Sequence, residues 1–442
     1  METALLYILG VLIIVAGLAV SIGLHELGHL WPAKLFGVRV SQYMIGFGPT
    51  LFSRRKGETQ YGIKAIPLGG YISMAGMYPP AAPGAKGRTA TTGIFETMVQ
   101  EARTASVATM VDVDDSRAFY KLPVYKRVII MLGGPTMNLL IGIVLYTVLL
   151  CGFGIPQATT TLGSVNECVL PATSERQTCE PGDTQSPGLE AGLKPGDRIV
   201  SIDGEQITEW DQATAIIRES PGDDLSVVVD RAGDTITLTV TPLLTERYVL
   251  DEFGAIAKDA SGASITQEVG FVGIGAASET VQQPVTAVLP MVGQNLARLG
   301  ELFIALPQRV VTLVGSLFTS EERDPNGLIG VVGIGRIAGE ITSLDSVPVA
   351  DRVAALVQVL ASLNIALFAF NLIPLPPLDG GHVAGALIEG IRRFFAKLFR
   401  RPDPGPIDTA KIIPVTMVVA SLLIVLTVIL VVADIVKPIS IL

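Results

Sequence analysis

The sequence predicts an α-helical polytopic membrane protein with about four transmembrane helices and additional β structure, a mixed α+β fold class. Three observations support this prediction. The mean hydropathy is +0.52, only 17% of the 442 residues are charged, and long apolar runs alternate with polar stretches. The net charge of -9 gives no indication of nucleic-acid binding.

Four apolar runs are long enough to cross a bilayer. A transmembrane helix needs about 20 apolar residues, because each residue adds about 1.5 Å and the hydrocarbon core is about 30 Å thick. The first run lacks a basic start and an A-x-A cleavage site, so we do not interpret it as a cleaved signal peptide. With their flanking residues, the predicted segments are 1–37, 124–155, 352–382 and 411–436.

Three polar or mixed regions separate these segments. Residues 38–76 alternate in polarity between Gly/Pro turns, which predicts a membrane-associated β-hairpin loop. Residues 77–123 are rich in Ala, Gly, Pro and Thr and are predicted to be a loop. Residues 284–345 have apolar positions at helical spacing, which is typical of an amphipathic helix along the membrane surface or of a short buried helix.

A further polar region, residues 162–276, contains the sequence A-G-L-K-P-G-D-R-I-V-S-I-D-G, which starts at Ala191. This sequence resembles the core of a bacterial PDZ domain, a small β-barrel whose exposed edge binds an extended peptide. Cys168 and Cys179 lie in one polar loop of this region. They can pair if the loop lies outside the cytoplasm, or remain free thiols.

Basic residues predict the orientation, because cytoplasmic loops carry an excess of lysine and arginine. Residues 31–127 contain 13 basic residues and residues 383–411 contain six, whereas residues 157–351 contain 11 among 28 acidic ones. We therefore expect the first two loops to be cytoplasmic. Both termini, the PDZ-like region and residues 284–345 are then extracytoplasmic.

The first segment ends in the sequence H-E-L-G-H. His25 and His29 are four residues apart, so they lie on one face of a helix with Glu26 beside them. This H-E-x-x-H spacing is typical of two zinc ligands and a general base. A five-residue pattern can occur by chance, but the chain has only three histidines and ionisable groups beside a membrane segment are costly.

A third ligand is predicted from the direction of the segments. The first and third segments cross in the same direction, so Asp379 reaches the same membrane face as the two histidines. A catalytic zinc site has three protein ligands and one open position. His382 is an alternative, either as the third ligand or as a residue that orients a ligand.

The second segment contains G-G-P-T-M-N, from Gly133 to Asn138. Small residues allow helices to approach closely, and an asparagine within an apolar segment needs a hydrogen-bond partner. A packing kink with a satisfied amide and a direct functional role both fit this pattern.

Together the motifs resemble the site-2 protease family. They are H-E-x-x-H, F-G-P and P-L-G-G-Y in the following loop, G-G-P-x-x-N, the PDZ-like region, G-F-V-G-I at residues 270–274, and N-x-x-P-x-P-x-L-D-G. The closest subgroup is bacterial, has an extracytoplasmic PDZ domain and cleaves anti-sigma factors. This chain differs from some members in having one PDZ-like region rather than two.

The resemblance implies an intramembrane zinc metalloprotease of the bacterial cytoplasmic membrane that binds one Zn²⁺ per chain. It implies that His25, His29 and Asp379 bind zinc, that Glu26 is the general base and that Asn371 contacts the substrate. The expected partners are membrane lipid, a single-span substrate such as an anti-sigma factor, and a site-1-type protease that trims this substrate first.

Two other classes of function fit less well. An ion transporter would need polar residues along several segments, and the second and fourth segments offer almost none. A PDZ scaffold with a degenerate protease site would lack a ligand or the base, and all of these residues are present.

Overall fold

The computed structural model describes most of the chain. The described residues are 2–79, 99–101, 103, 104, 106, 109, 110, 114–174, 176, 178–250, 256, 257, 264–319, 323 and 327–439. Parts of the regions predicted at 77–123, 162–276 and 284–345 therefore lie outside the described residues. The chain forms two compact units, a helical unit of Met1–Phe153 with Gln283–Leu442, and a β unit of Gly154–Gln282.

The helices of ten residues or more in the described part are α1 (Glu2–Leu35), α2 (Val124–Thr147), α3 (Trp210–Glu219), α4 (Val288–Phe318), α5 (Val331–Ser343), α6 (Val349–Asn371), α7 (Asp379–Leu398) and α8 (Ile413–Val436). The strands are β1 (Val40–Lys56), β2 (Thr59–Met74), β3 (Ile155–Val165), β4 (Arg198–Ile202), β5 (Glu205–Gln206), β6 (Leu225–Arg231), β7 (Asp234–Val240), β8 (Leu243–Tyr248), β9 (Thr266–Phe271) and β10 (Ile274–Val281).

The predicted combination of long apolar helices with β-sheet regions is confirmed, and the described part contains one more long apolar helix than predicted. Five helices in the described part, rather than about four, are long and apolar enough to cross a membrane. The additional one is α4, a continuous helix of 31 residues. Its charged residues Arg298, Glu301 and Arg309 lower its apolar character, which is why the sequence suggested a surface helix or a short buried one.

Helix α1 is longer than the apolar run that predicts it. The run ends near Leu24, whereas the helix continues to Leu35, so the H-E-L-G-H sequence lies inside the helix. Near its start, α1 packs closely against α5, where a Cβ atom on Gly10 would lie 2.3 Å from the Ala338 carbonyl oxygen. Deeper in the bundle, the Asn364 side chain in α6 donates a hydrogen bond to Ser21 Oγ at 3.0 Å.

A buried ion pair joins three parts of the helical unit at one end. Arg127 near the start of α2 donates a hydrogen bond to Glu389 in α7, and both side chains are buried. Glu389 also accepts a hydrogen bond from the backbone N–H of Ile407, shortly before α8. The starts of α2 and α8 therefore lie at the same end of the unit, with the middle of α7.

Strands β1 and β2 form an antiparallel sheet in the helical unit. Strand β2 folds back along β1, so that Ile45 lies opposite both Ile63 and Gly70. In the described part of the chain, residues 70–74 pair with β1 on one side, and no strand pairs with their other side. Residues 70–74 therefore form one of the two unpaired edges of the sheet in the described part of the chain, and residues 50–56, which pair only with residues 59–64, form the other.

The β unit contains a six-stranded sheet in the order β10-β3-β4-β6-β7, with β5 beside β4, and a separate pair of β8 and β9. Its core consists of aliphatic side chains from the strands and from α3, among them Ile199, Ile202 and Ile217. Alternating polarity in β6, where Leu225, Val227 and Val229 are buried, explains why one face of the sheet forms this core. A disulfide bond joins Cys168 to Cys179, with 5.9 Å between the Cα atoms.

An ion pair in the β unit makes its stability dependent on pH. Arg231 donates hydrogen bonds to both carboxylate oxygens of the buried Asp197, at 2.6 and 2.7 Å. These bonds hold the pKa of Asp197 below its usual range. A lowered folded-state pKa stabilises the fold above the unfolded pKa of about 3.9, and the contribution is lost as pH falls through the folded value.

We expect Asp197→Asn to lower the free energy of unfolding of the β unit by about 2–3 kcal/mol at neutral pH, because it breaks a largely buried pair whose arginine is partly exposed. The difference from wild type should narrow below about pH 4. Denaturation followed by Trp210 fluorescence in a Trp31→Phe background isolates this unit, since the chain has two tryptophans.

Asp230→Asn is the matched control, because Asp230 pairs with Arg198 at the exposed surface of the same unit. Its effect should be much smaller. An equal loss of stability in the two variants would contradict the importance of the buried pair.

Candidate metal centre

Three side chains from two distant parts of the chain meet in the helical unit. His25 Nε2 and His29 Nε2 are 3.2 Å apart, and each lies 3.3 Å from Asp379 Oδ2. The histidines lie one turn apart on α1, and Asp379 is the first residue of α7. Among the described residues, these three form the one group of three or more potential ligands.

The group has the chemistry and spacing of a zinc site. The Nδ1–H of His29 donates a hydrogen bond of 2.7 Å to the Ile130 carbonyl oxygen, which leaves the Nε2 lone pair free for a metal. Asp379 Oδ2 is buried and has no hydrogen-bond partner among the described residues. Distances of 3.2 and 3.3 Å match the edge of a tetrahedron around zinc, about 3.3 Å for bonds of about 2.0 Å.

Glycines in α1 and α2 make room for the histidines. A Cβ atom on Gly134 would lie 2.2 Å from His29 Nε2 and 2.7 Å from His25 Nε2. Gly28, next to His29 on α1, is equally close to α2, because a Cβ atom on Gly28 would lie 2.3 Å from the Gly133 carbonyl oxygen. Because glycine lacks a side chain, α2 approaches α1 closely enough to form the wall of the site.

Glu26 lies between the histidines in sequence and is 8% exposed. It contacts the β1–β2 sheet, since a Cβ atom on Gly70 would lie 2.9 Å from its Cγ. Glu26 and His25 both line a cavity of about 670 Å³, together with Gly69 and Gly70. The unpaired strand edge at residues 70–74 therefore begins at this cavity.

Two asparagines also line the cavity. The side-chain N–H of Asn371 donates a hydrogen bond to the Leu367 carbonyl oxygen at 3.0 Å. Asn138 is 1% exposed, and its Oδ1 has no hydrogen-bond partner among the described residues. From the sequence, Asn138 could have had a fully hydrogen-bonded amide. The structure shows that its carbonyl oxygen is unpaired among the described residues, which depends on the three-dimensional surroundings.

His382, the alternative third ligand, is not part of the ligand group among the described residues. It lies one turn after Asp379 on α7. Of the two predicted candidates, Asp379 is therefore the residue that lies with the histidines.

Comparisons with known proteins agree with this geometry. The model of peptidase family M50 matches residues 13–400. The zinc metalloprotease Rip1 of Mycobacterium tuberculosis is 33% identical over 447 residues, which cover 98% of this chain and 99% of Rip1. The chain belongs to peptidase family M50. Rip1 of Mycolicibacterium smegmatis is 32% identical over 98% of each chain, and metalloprotease MmpA of Caulobacter vibrioides is 27% identical over 85% of each.

Membership of family M50 makes the chain a multi-pass membrane zinc metalloprotease of the site-2 protease type. The resemblance inferred from the sequence motifs is thereby confirmed. The matched residues 13–400 include the histidines of α1 and Asp379 of α7.

We expect Gly134→Ala to lower the zinc affinity of the M50 centre at least about tenfold, because the added methyl group occupies the space of both histidine Nε2 atoms. Zinc bound to the purified protein, measured by elemental analysis after dialysis against a weak chelator, checks this expectation.

The control is Gly152→Ala in the same apolar span, where an added Cβ would meet nothing within 4 Å. It should retain the zinc content of the wild type. Normal zinc binding by Gly134→Ala would show that the close approach of α2 is unnecessary for the site.

Proposed function

We propose that this M50 protease hydrolyses a peptide bond within or near the transmembrane segment of single-span membrane proteins. The cavity of about 670 Å³ carries the proposal, because it has His25 and Glu26 in its wall and is otherwise lined mainly by apolar side chains of α1, α4 and α6. Such a cavity suits an apolar membrane segment. We propose an anti-sigma-factor-like substrate that a site-1-type protease has already trimmed.

His25, His29 and Asp379 are the proposed ligands of one zinc ion per chain. Their convergence within 3.3 Å and the unpaired Asp379 Oδ2 support this assignment. Zinc bound there supplies Lewis-acid activation of a water molecule near neutral pH. The Ile130 carbonyl oxygen holds His29 in the orientation that this role requires.

Glu26 is the proposed general base. It accepts a proton from the attacking water as the water oxygen bonds to the peptide carbonyl carbon. Glu26 then delivers this proton to the leaving nitrogen as the C–N bond breaks. The position of Glu26 in the cavity wall, next to Gly70, supports both transfers, since a substrate in the cavity comes within its reach.

The substrate must unwind, because a peptide bond within a helix is hydrogen-bonded and shielded. The unpaired edge at residues 70–74 can replace the lost hydrogen bonds by pairing with the extended segment. We propose that Asn371 contacts this segment and that Asn138 Oδ1 accepts a hydrogen bond from one of its backbone N–H groups. The unpaired state of Asn138 Oδ1 supports this role.

We propose that the protein lies in the bacterial cytoplasmic membrane with both termini and the β unit outside and the metal centre towards the cytoplasm. This topology has four membrane crossings, by α1, α2, α6 and α8, and α4 adds none if both of its ends lie at the same end of the helical unit. Gln283, just before α4, donates a hydrogen bond to Leu150 after α2, and Lys437, just after α8, donates to Ser316 at the end of α4. Since α2 and α8 start at the same end, both ends of α4 lie at the opposite end.

The β unit is the proposed PDZ domain, and its disulfide suits an extracytoplasmic location. A cavity of about 510 Å³ lies between α3 and residues 269–274 and contains Arg247. Its apolar wall and this cation support binding of the new carboxyl terminus of a trimmed substrate. Steric exclusion of untrimmed substrates is the other role that we propose to test.

Glu26→Gln should retain zinc and lose activity by roughly 10²–10⁴-fold, because the amide keeps the shape of the side chain but cannot accept the proton. The measurement compares bound zinc and cleavage of a trimmed single-span substrate, for wild type and variant in mild detergent.

Untrimmed substrate and zinc-free protein serve as controls in this assay. Zinc binding without cleavage of any trimmed substrate by the wild type would contradict the proposed proteolysis. Ion flux in liposomes would then be measured to test a transporter.

Substrate unwinding generates a separate expectation. Introducing Gly or Pro into the substrate span near the scissile bond should raise kcat/KM about tenfold over a Leu/Ala-rich span, because each lowers the cost of leaving the helix. Equal cleavage of both substrates in nanodiscs would count against strand pairing as the way in which substrate reaches the metal.

A further inference from the structure

Helix α7 has two different faces. One face carries Gly385, Ala386 and Glu389, which are buried in the helical unit. The other face, together with Phe399 directly after the helix, exposes large apolar side chains at helical spacing, each between 49% and 65% exposed: Ile388, Ile391, Phe394, Phe395, Leu398 and Phe399. Neither the metal centre nor its cavity uses this exposed stripe.

The second half of α7 begins beside the start of α2. Gly390 packs beside Val124, the first residue of α2, since a Cβ atom on Gly390 would lie 3.3 Å from Val124 Cγ1. The next residue of α2, Tyr125, is 61% exposed. Exposed aromatic residues at the end of a span mark the membrane interface. Residues 391–401 therefore start at the headgroup layer.

Basic side chains accompany the apolar stripe. Arg392, Lys397, Arg400 and Arg401 are exposed, and residues 390–401 contain no acidic residue. Two acids flank these residues: Glu389 is buried and pairs with Arg127 and Arg393, and the exposed Asp403 lies 3.6 Å from Arg393. This segment therefore presents a net positive charge next to apolar side chains, which is the combination that binds anionic membrane surfaces.

We propose that the second half of α7, together with residues 399–401 that follow it, is a binding site for anionic phospholipid. The apolar stripe lies among acyl chains, and the four exposed cations contact headgroup phosphates. Lipid is the occupant because α7 packs at Gly390 beside the start of α2, where Tyr125 and Ile129 are also exposed, and because the flanking charges complement an anionic leaflet. This site is independent of the proposed proteolysis.

The test uses a bimane fluorophore on Phe394→Cys in a Cys151→Ala background of the full chain, since Cys151 is the free cysteine in the described part. The labelled protein is placed in nanodiscs that contain either brominated phosphatidylglycerol or brominated phosphatidylcholine at equal mole fraction. We expect phosphatidylglycerol to quench at least about twofold more strongly. High salt should reduce this preference.

Two controls isolate the charge effect. The preference should disappear when Arg392, Lys397, Arg400 and Arg401 are all replaced by glutamine. A label on Leu422→Cys, which is 64% exposed in α8, should be quenched equally by both lipids. The measurement is repeated on Ile391→Cys, so that a local effect of one label is recognised.

Equal quenching by the two lipids at both α7 positions would overturn the proposal, because the site would not distinguish anionic lipid. Quenching by neither lipid would also overturn it, and would indicate that protein, such as a second copy of the chain, covers the stripe.

Discussion

The close approach of α2 to α1 at Gly28, Gly133 and Gly134 is the constraint on which the rest of the candidate metal centre depends. It brings the Ile130 carbonyl oxygen within 2.7 Å of His29 Nδ1 and leaves the Nε2 atoms of both histidines facing Asp379. No other residue type leaves this space, because a single methyl group at Gly134 overlaps with both imidazoles. The glycines of the second segment therefore have a chemical role as well as a packing role.

Hydrogen bonding distinguishes structural from functional polar groups in the helical unit. Asp434 pairs with Arg323 and accepts hydrogen bonds from the backbone N–H groups of Gly330 and Gly333. Such satisfied groups hold helices together where water is scarce. Around the cavity, by contrast, Asn138 Oδ1 and Asp379 Oδ2 are buried without hydrogen-bond partners among the described residues. Unpaired atoms of this kind are suited to a metal ion or a substrate backbone.

The sequence predicted those parts of the site that follow from helical periodicity and from the direction in which the apolar segments cross the membrane. The spacing of His25 and His29 fixes one helix face, and the parity of the crossings places Asp379 beside them. Two features depend on three-dimensional surroundings instead. Whether the amide oxygen of Asn138 is unpaired depends on which residues surround it in the fold. The return of β2 along β1, which creates the free edge at residues 70–74, cannot be predicted from alternating polarity. The length and apolar character of helix α4 were underestimated because three charged residues interrupt its apolar pattern.

The ligand group joins residues that are about 350 positions apart, from α1 and from the start of α7. During synthesis, the histidines enter the membrane long before Asp379 leaves the ribosome, and until then only two of the three proposed ligands exist. A nascent or truncated chain thus carries the H-E-L-G-H sequence without a complete centre. With Asp379 as the proposed third ligand, the order of the chain delays hydrolytic competence until the spans have been inserted and packed.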